Sequence, residues 1–197
     1  MKQHLRPALM LLLLLTLITG VIYPLAVTGI ARAFFPGKAN GSLIEQGDHQ
    51  IGSALIGQQF VSAKYFWGRL SATSPTPYNA AASSGSNYGP LNKALLDASQ
   101  GRVDQLRKAD SANTKAIPID LVTASASGLD PHISVAGALY QVARVARERN
   151  TSETNIRTLV EQFTEPRQLG FLGEPRVNVL QLNLALDAMT RNSGGTR

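Results

Sequence analysis

The chain has no cysteine, one tryptophan and three histidines among its 197 residues. The lack of cysteine excludes disulfides, thiolate metal sites, iron–sulfur clusters and cysteine nucleophiles. Charged residues make up only 16% of the chain, and the 19 Lys and Arg are dispersed rather than grouped beside aromatic side chains. This distribution argues against nucleic acid as a partner. The densest basic group, Arg144, Arg147 and Arg149, is predicted to be the solvated face of one helix.

The motifs of common catalytic sites are also missing. The Gly-Lys pair at 37–38 lacks the earlier glycine of a phosphate-binding loop, and no zinc-protease, nucleophile-elbow or dinucleotide-binding motif is present. Of the histidines, only His132 stands near other reactive side chains, namely Ser127, Asp130 and Ser134. These residues could belong to a hydrolytic or metal site. We favour a role in shaping a loop and capping a helix, because neighbours in sequence rarely form a catalytic triad.

What the sequence does have is one long apolar run. Between Arg6 and Arg32 lie 25 residues without Asp, Glu, Lys, Arg or His. As a helix, this run would measure about 37 Å, which exceeds the ~30 Å hydrocarbon core of a bilayer. A cleaved signal peptide is the competing interpretation, but its apolar core spans only about 7–15 residues. We therefore predict a leader and transmembrane helix over residues 1–33 and a water-soluble domain over residues 34–197.

The basic leader before the span sets the predicted orientation. Lys2 and Arg6 precede the apolar run, and the positive-inside tendency then favours a cytoplasmic N-terminus. We predict a single-pass protein of the bacterial inner (plasma) membrane with an extracytoplasmic body.

A stripe of small and hydroxylated residues runs along the span. Thr16, Gly20, Pro24 and Thr28 recur every four residues and so share one helical face. Such a face lets a second helix approach closely, which predicts a membrane partner. The alternative is that Gly, Thr and Pro are simply common in membrane helices.

The body has the pattern of an α+β domain. Residues 40–50 are predicted to form a polar connection and residues 71–90 a long loop, with Asn178 and Asn183 suited to holding loops. Apolar runs predict strands or strand-like segments at 54–56, 59–61 and 65–67 and a short strand at 117–122. Apolar spacing predicts a helix, or a helix pair hinged at Gly101, over 91–106, and further helices at 135–146, at 150–163 with a capping box of Asn150 and Glu153, and at 177–189, which could begin as a strand. Ser134, or Asp130 with Pro131, is predicted to cap the second helix.

Several strings in this body resemble a known family, the KdpC subunits of bacterial Kdp potassium-transporting ATPases. The resemblance runs from the anchor to Asp187 and departs from the family at Leu70 and Ser84. It is carried by GSALIGQQF at 52–60, YFWGRLSAT at 65–73, YNAAASSGSNYGP at 78–90, SGLDPHIS at 127–134, QVARVARER at 141–149 and FLGEPRVNVLQLNLALD at 171–187.

The resemblance implies a non-catalytic accessory subunit of an ATP-driven potassium import complex. Its partners would be a potassium-channel-like subunit and a P-type catalytic subunit. It would support assembly and act as a catalytic chaperone that raises the ATP affinity of the catalytic subunit, with no firmly bound cofactor of its own. The family also implies a nucleotide contact at a helical glutamine, here Gln141. The predicted topology conflicts with that contact, since it places Gln141 outside the cytoplasm.

Two other classes of protein stay open. A membrane-anchored extracytoplasmic hydrolase would need Ser127, Asp130 or His132 to meet a distant base or metal. A secreted binding protein would need cleavage after Ala33.

Overall fold

The computed structural model describes residues 2–194, with side chains from residue 3 to residue 189. The chain divides into two compact units, one ending at Ser53 and the other beginning at Ala54. The first unit therefore holds more than the predicted membrane anchor. The division at residues 33 and 34 stays a prediction about where that anchor ends.

The first unit begins with a continuous apolar helix, as predicted. Helix α1 (Lys2–Leu17) passes through a π-helical turn (Ile18–Ile22) into α2 (Tyr23–Phe34). The span Gln3–Phe34 has a mean hydropathy of 2.4 and none of it is buried within the protein. Its length and composition suit a membrane crossing.

The π turn ends at Ile22, two residues before Pro24. Proline has no N–H, so Pro24 cannot donate the usual hydrogen bond to the carbonyl four residues earlier. The preceding residue, Tyr23, donates its N–H to the Ile18 carbonyl, five residues back. The wider turn thus accommodates the proline without breaking the helix.

A short helix and a hairpin complete the first unit. Helix α3 (Pro36–Ala39) is followed by strands β1 (Leu43–Gln46) and β2 (His49–Ser53), which pair antiparallel. The prediction of a plain polar connection at 40–50 was therefore wrong. Most residues of the two strands are exposed. A strand without a buried face does not need alternating apolar and polar residues, which is the pattern that would have predicted it.

The second unit combines helices with a small antiparallel sheet, which confirms the mixed helix and sheet class. The helices are α4 (Lys93–Ala109), α5 (Val135–Glu148), α6 (Glu153–Gln162) and α7 (Val179–Gly194). The sheet has the order β3-β5-β4, from strands β3 (His132–Ser134), β4 (Thr164–Glu165) and β5 (Arg176–Asn178). Helix and sheet side chains share one core that includes Phe66, Leu106, Leu121, Ile133, Val142, Ile156, Val177, Leu182 and Leu186.

Capping residues explain where two of these helices begin. The Ser134 hydroxyl accepts a hydrogen bond from Gly137 N at 2.9 Å, which confirms the cap predicted there for α5. The cap of α6 is Ser152, which accepts from Asn155 N at 3.2 Å. The predicted capping box at Asn150 and Glu153 was therefore wrong by two residues.

The predicted strands of the second unit are replaced by loops and turns. Residues 54–61 and 65–67 belong to no strand, and 117–122 contains a 3₁₀ turn at Ile119–Leu121. Helix α4 runs through Gly101 without a break, which confirms the single helix and not the hinged pair. The long loop at 71–90 is confirmed, apart from a 3₁₀ turn at Ala80–Ala82. Helix α7 begins directly after a strand, as one of the two predictions for it required.

Candidate functional site

The aromatic segment, defined as residues 65–67, is held by two amide side chains. Gln141 on α5 accepts from Trp67 N at 2.8 Å and donates to Trp67 O at 3.1 Å. Asn183 on α7 accepts from Phe66 N at 2.9 Å and donates to Phe66 O at 3.0 Å. Each amide therefore satisfies both backbone groups of one residue, as a neighbouring strand would.

Gln141 uses its full hydrogen-bonding capacity inside the protein. Its Oε1 also accepts from Arg144 Nη2 at 2.6 Å, and its Nε2 also donates to Gly137 O at 3.2 Å. An amide side chain offers two donor hydrogens and two acceptor lone pairs, so none remains for another partner in this arrangement. The contact of Gln141 with ATP stays a prediction.

Arg144 lies in the core beside the aromatic segment. The residue is 2% exposed, and its guanidinium donates to the carbonyls of Ala63 and Tyr65. Burial lowers the pKa of Arg144 to about 10, because desolvation disfavours the charged form. The prediction of a solvated basic face was therefore wrong for this residue. Positions 141 and 144 are one helical turn apart, so both face the aromatic segment.

The other two arginines of that group differ from Arg144. Arg147 is half exposed and pairs with the buried carboxylate of Asp110 at 3.0 Å. Arg149 pairs with Asp187 on α7 at 2.7 Å, and its side chain is only 7% exposed. Only Arg147 therefore agrees with a solvated face.

A second guanidinium lies over the same tryptophan ring. The Arg144 guanidinium carbon is 4.5 Å from the centroid of Trp67, and that of Arg102 on α4 is 5.0 Å from it. Arg102 also donates to Gly68 O at 2.9 Å and to Leu121 O at 3.1 Å. Burial lowers the pKa of Arg102 as well. Trp67 is therefore buried among cations that bond to backbone carbonyls.

In the SGLDPHIS loop, the polar side chains of Ser127 and Asp130 accept hydrogen bonds from the backbone of the same loop. Asp130 accepts from His132 N at 2.9 Å and from Arg69 Nη1 at 3.1 Å, while Ser127 Oγ accepts from Leu129 N at 3.1 Å. Burial by itself would raise the pKa of Asp130, but the hydrogen bonds from His132 and Arg69 outweigh it and lower that pKa.

The geometry of this loop agrees with the structural role rather than with a catalytic triad. The structure brings Asp130 and His132 together, with the His132 Nδ1 3.5 Å from a carboxylate oxygen, and bonds Ser127 to backbone instead. Within the described part of the chain, no three His, Cys, Asp or Glu side chains form a group that could hold a metal ion.

Two features of this site were not predicted from the sequence. They are the position of Arg102 over Trp67 and the hydrogen bonds of Asn183 to the aromatic segment. Asn183 occupies the buried face of α7 beside Leu182 and Leu186, and all three are at most 1% exposed. A polar residue on an apolar helical face is a signal that could have been used, since a buried amide needs partners. Asn178 also holds a loop, as predicted, by donating to Ala54 O at 2.8 Å. No pattern in the sequence around Arg102 predicts its place over Trp67.

Two residues of the stripe, Thr16 and Gly20, lie next to each other on the apolar helix. A Cβ placed on Gly20 would lie 3.9 Å from the Thr16 methyl group, so these two residues share a face. All four residues of the stripe, Thr16, Gly20, Pro24 and Thr28, are exposed in the isolated chain. Their contact with a partner helix stays a prediction.

Comparison with known proteins covers nearly the whole chain. The family model described as KdpC, the K⁺-transporting ATPase c chain, matches residues 5–188. A protein of Herpetosiphon aurantiacus named "Potassium-transporting ATPase KdpC subunit" is 64% identical over 187 residues, covering 95% of this chain and 97% of the relative. A protein of the same name from Methylococcus capsulatus is 62% identical over 189 residues, covering 96% of this chain and 100% of the relative. The resemblance predicted from the sequence is confirmed, and the chain belongs to the KdpC family of K⁺-transporting ATPase c chains.

Proposed function

We propose that this protein is a non-catalytic accessory subunit of an ATP-driven potassium import complex. The observation that carries the proposal is the family relation over residues 5–188, together with an apolar helix that is not buried among the described residues. Its partners are a potassium-channel-like subunit and a P-type catalytic subunit.

Deletion of the gene tests the proposal directly. We expect loss of growth at very low potassium and loss of potassium-stimulated ATPase activity in the purified complex. Restoring the full chain should recover both. Unchanged ATPase activity and growth in the deletion strain would contradict an accessory role in this complex.

The accessory role is also supported by what the polar loop residues do. Ser127 and Asp130 accept hydrogen bonds from the backbone of their own loop, and Arg69 pairs with Asp130. Ser127→Ala and His132→Ala should therefore leave most of the ATPase activity of the complex. A hydrolase is the competing class. Turnover of an esterase or peptidase substrate by the purified chain, abolished by one of these substitutions, would favour it.

We propose an inner-membrane protein with a cytoplasmic N-terminus and an extracytoplasmic body. Lys2 and Arg6 before the span support this orientation. Protease added to intact spheroplasts should digest the body, and protection until lysis would reverse the orientation. The mass of the chain purified from membranes should include the leader. A mature chain that begins after Ala33 would instead indicate a secreted protein.

We propose that the stripe at Thr16, Gly20, Pro24 and Thr28 docks against a partner helix. Gly20→Leu would place a bulky side chain beside Thr16 and should weaken copurification of the partner subunits from mild detergent. Leu13→Ile, on another face, is the matched control and should be tolerated. Equal recovery of partners with both variants would remove this docking face.

We propose that the subunit raises the ATP affinity of the catalytic subunit, without a firmly bound cofactor. The Michaelis constant for ATP should rise when the complex lacks this chain. The internal bonds of Gln141 favour an effect through assembly, whereas a direct contact at Gln141 is the alternative implied by the family. Direct contact requires that the purified full chain binds ATP and that Gln141→Glu weakens binding more than Asn183→Asp does, since Asn183 is an equally buried amide whose replacement disturbs the aromatic segment in the same way. Binding that persists in the Gln141→Glu variant would exclude Gln141 as the contact.

A further inference from the structure

A cavity of about 600 Å³ lies beside the aromatic segment in the second unit. Its walls come from residues 59–61, Ala63 and residues 67–71, from Pro77 and Tyr78, and from one face of α4. Phe60, Trp67 and Tyr78 supply aromatic surface, and the cavity is open to solvent near the exposed Val61. This volume falls within the range of about 300–1,000 Å³ that is typical of small-molecule sites.

The charged residues on the cavity wall are all cations. Arg69, Arg102 and Lys108 line it, and no Asp or Glu is among its lining residues in the described chain. Asp130 pairs with Arg69 from outside the cavity at 3.1 Å. Arg102 bonds only to carbonyl oxygens of the backbone and of Gln105. Two positive charges, on Arg102 and Lys108, are therefore left without a carboxylate, and a third lies behind Trp67 on Arg144.

Donor hydrogens are also left over at this wall. The guanidinium of Arg102 has five N–H donors, and its described bonds are one to Leu121 O, one to Gly68 O and one to Gln105 Oε1. Two of the five donors of Arg102 therefore have no described acceptor, and an oxygen-rich ligand in the cavity supplies one.

We propose that this cavity binds a small organic anion that carries a flat apolar group. The anionic group meets Arg102 and Lys108, and the flat group lies against Phe60 and Tyr78. Charge-assisted hydrogen bonds to an arginine fork suit a phosphate or carboxylate, and the aromatic wall adds apolar contact that a bare inorganic ion cannot use. The site uses none of the polar atoms of Gln141.

Calorimetric titration of the full chain in detergent micelles tests the proposal. Phenyl phosphate is the probe, inorganic phosphate lacks the ring, and benzyl alcohol lacks the charge. Phenyl phosphate should bind at least about tenfold more tightly than either of the other two, because only it engages both parts of the wall. The same titration into empty micelles corrects for partition of the probe.

Two charge reversals locate the bound probe. Lys108 is an exposed residue on the cavity wall, whereas Lys115 is exposed outside it, so both variants should keep the fold. Lys108→Glu should weaken phenyl phosphate binding by about tenfold or more, while Lys115→Glu should change it by less than about twofold. Thermal midpoints of both variants should match that of the parent chain.

A second pair of variants probes the mouth of the cavity. Val61 is 74% exposed and lines the cavity, so Val61→Asp adds a negative charge without opening the core. It should weaken binding more than Val61→Asn does. The proposal is overturned if phenyl phosphate shows no saturable binding, if inorganic phosphate binds equally well, or if Lys108→Glu and Lys115→Glu weaken binding equally.

Discussion

Replacing Gln141 with leucine tests whether the aromatic segment depends on that side chain. Leucine has a similar volume but no polar atoms, so the variant leaves both Trp67 N and Trp67 O without their side-chain partner in a buried site. It also removes the Gln141 oxygen that accepts from Arg144. We expect the aromatic segment to lose its support from α5.

The magnitude follows from the groups left unpaired. A buried backbone group without a partner costs about 1–3 kcal/mol, so two such groups predict a loss of about 2–6 kcal/mol in the free energy of unfolding. For a domain of this size, each kcal/mol shifts the thermal midpoint by about 2–4 °C. A loss of about 4 kcal/mol, the middle of that range, would lower the midpoint by about 8–16 °C.

The single tryptophan of the chain makes the measurement direct. Trp67 is only 7% exposed and lies within the perturbed site, so its fluorescence reports both the local change and global unfolding. Denaturant titration of the full chain in micelles would measure the free energy. Gln162→Leu, at an exposed position of α6, is the matched control and should change stability by less than about 0.5 kcal/mol. A loss below about 1 kcal/mol for Gln141→Leu, with unchanged Trp67 emission, would refute the role of Gln141 as the support of the aromatic segment.

Three further substitutions test other parts of the second unit. Ser134→Ala removes the cap that accepts from Gly137 N and should lower stability by about 1–2 kcal/mol, measured by denaturant titration; no loss would contradict the cap. The lowered pKa of Asp130 predicts stability that is complete above its unfolded value near 3.8 and declines as the pH falls through the folded value. Asp130→Asn should remove that part of the acid dependence, and an unchanged acid titration curve would contradict it. Gly57→Ala would place a Cβ 2.3 Å from the Tyr78 ring and should lower the thermal midpoint by several degrees, whereas an unchanged midpoint would mean that the ring moves freely.

Local sequence was sufficient for features whose causes lie within a few residues. The long apolar helix follows from an uncharged run, and the positions of α5 and α6 follow from apolar residues repeated at helical spacing. Ser134 was identifiable as a cap because its hydroxyl acts on an N–H only three residues away. The family relation likewise rests on strings that are continuous in the sequence.

The aromatic segment shows why the rest required the tertiary structure. Residues 65–67 have the composition of a strand, yet their backbone partners are side chains 74 and 117 residues away. Arg144 has the charge of a surface residue but is buried, because Trp67 and the carbonyls of a distant segment surround it. The apolar helix, the spacing of the core helices and the family relation can be read from continuous stretches of residues. Which polar side chains are buried depends on the packed fold, because their partners meet only after distant segments come together.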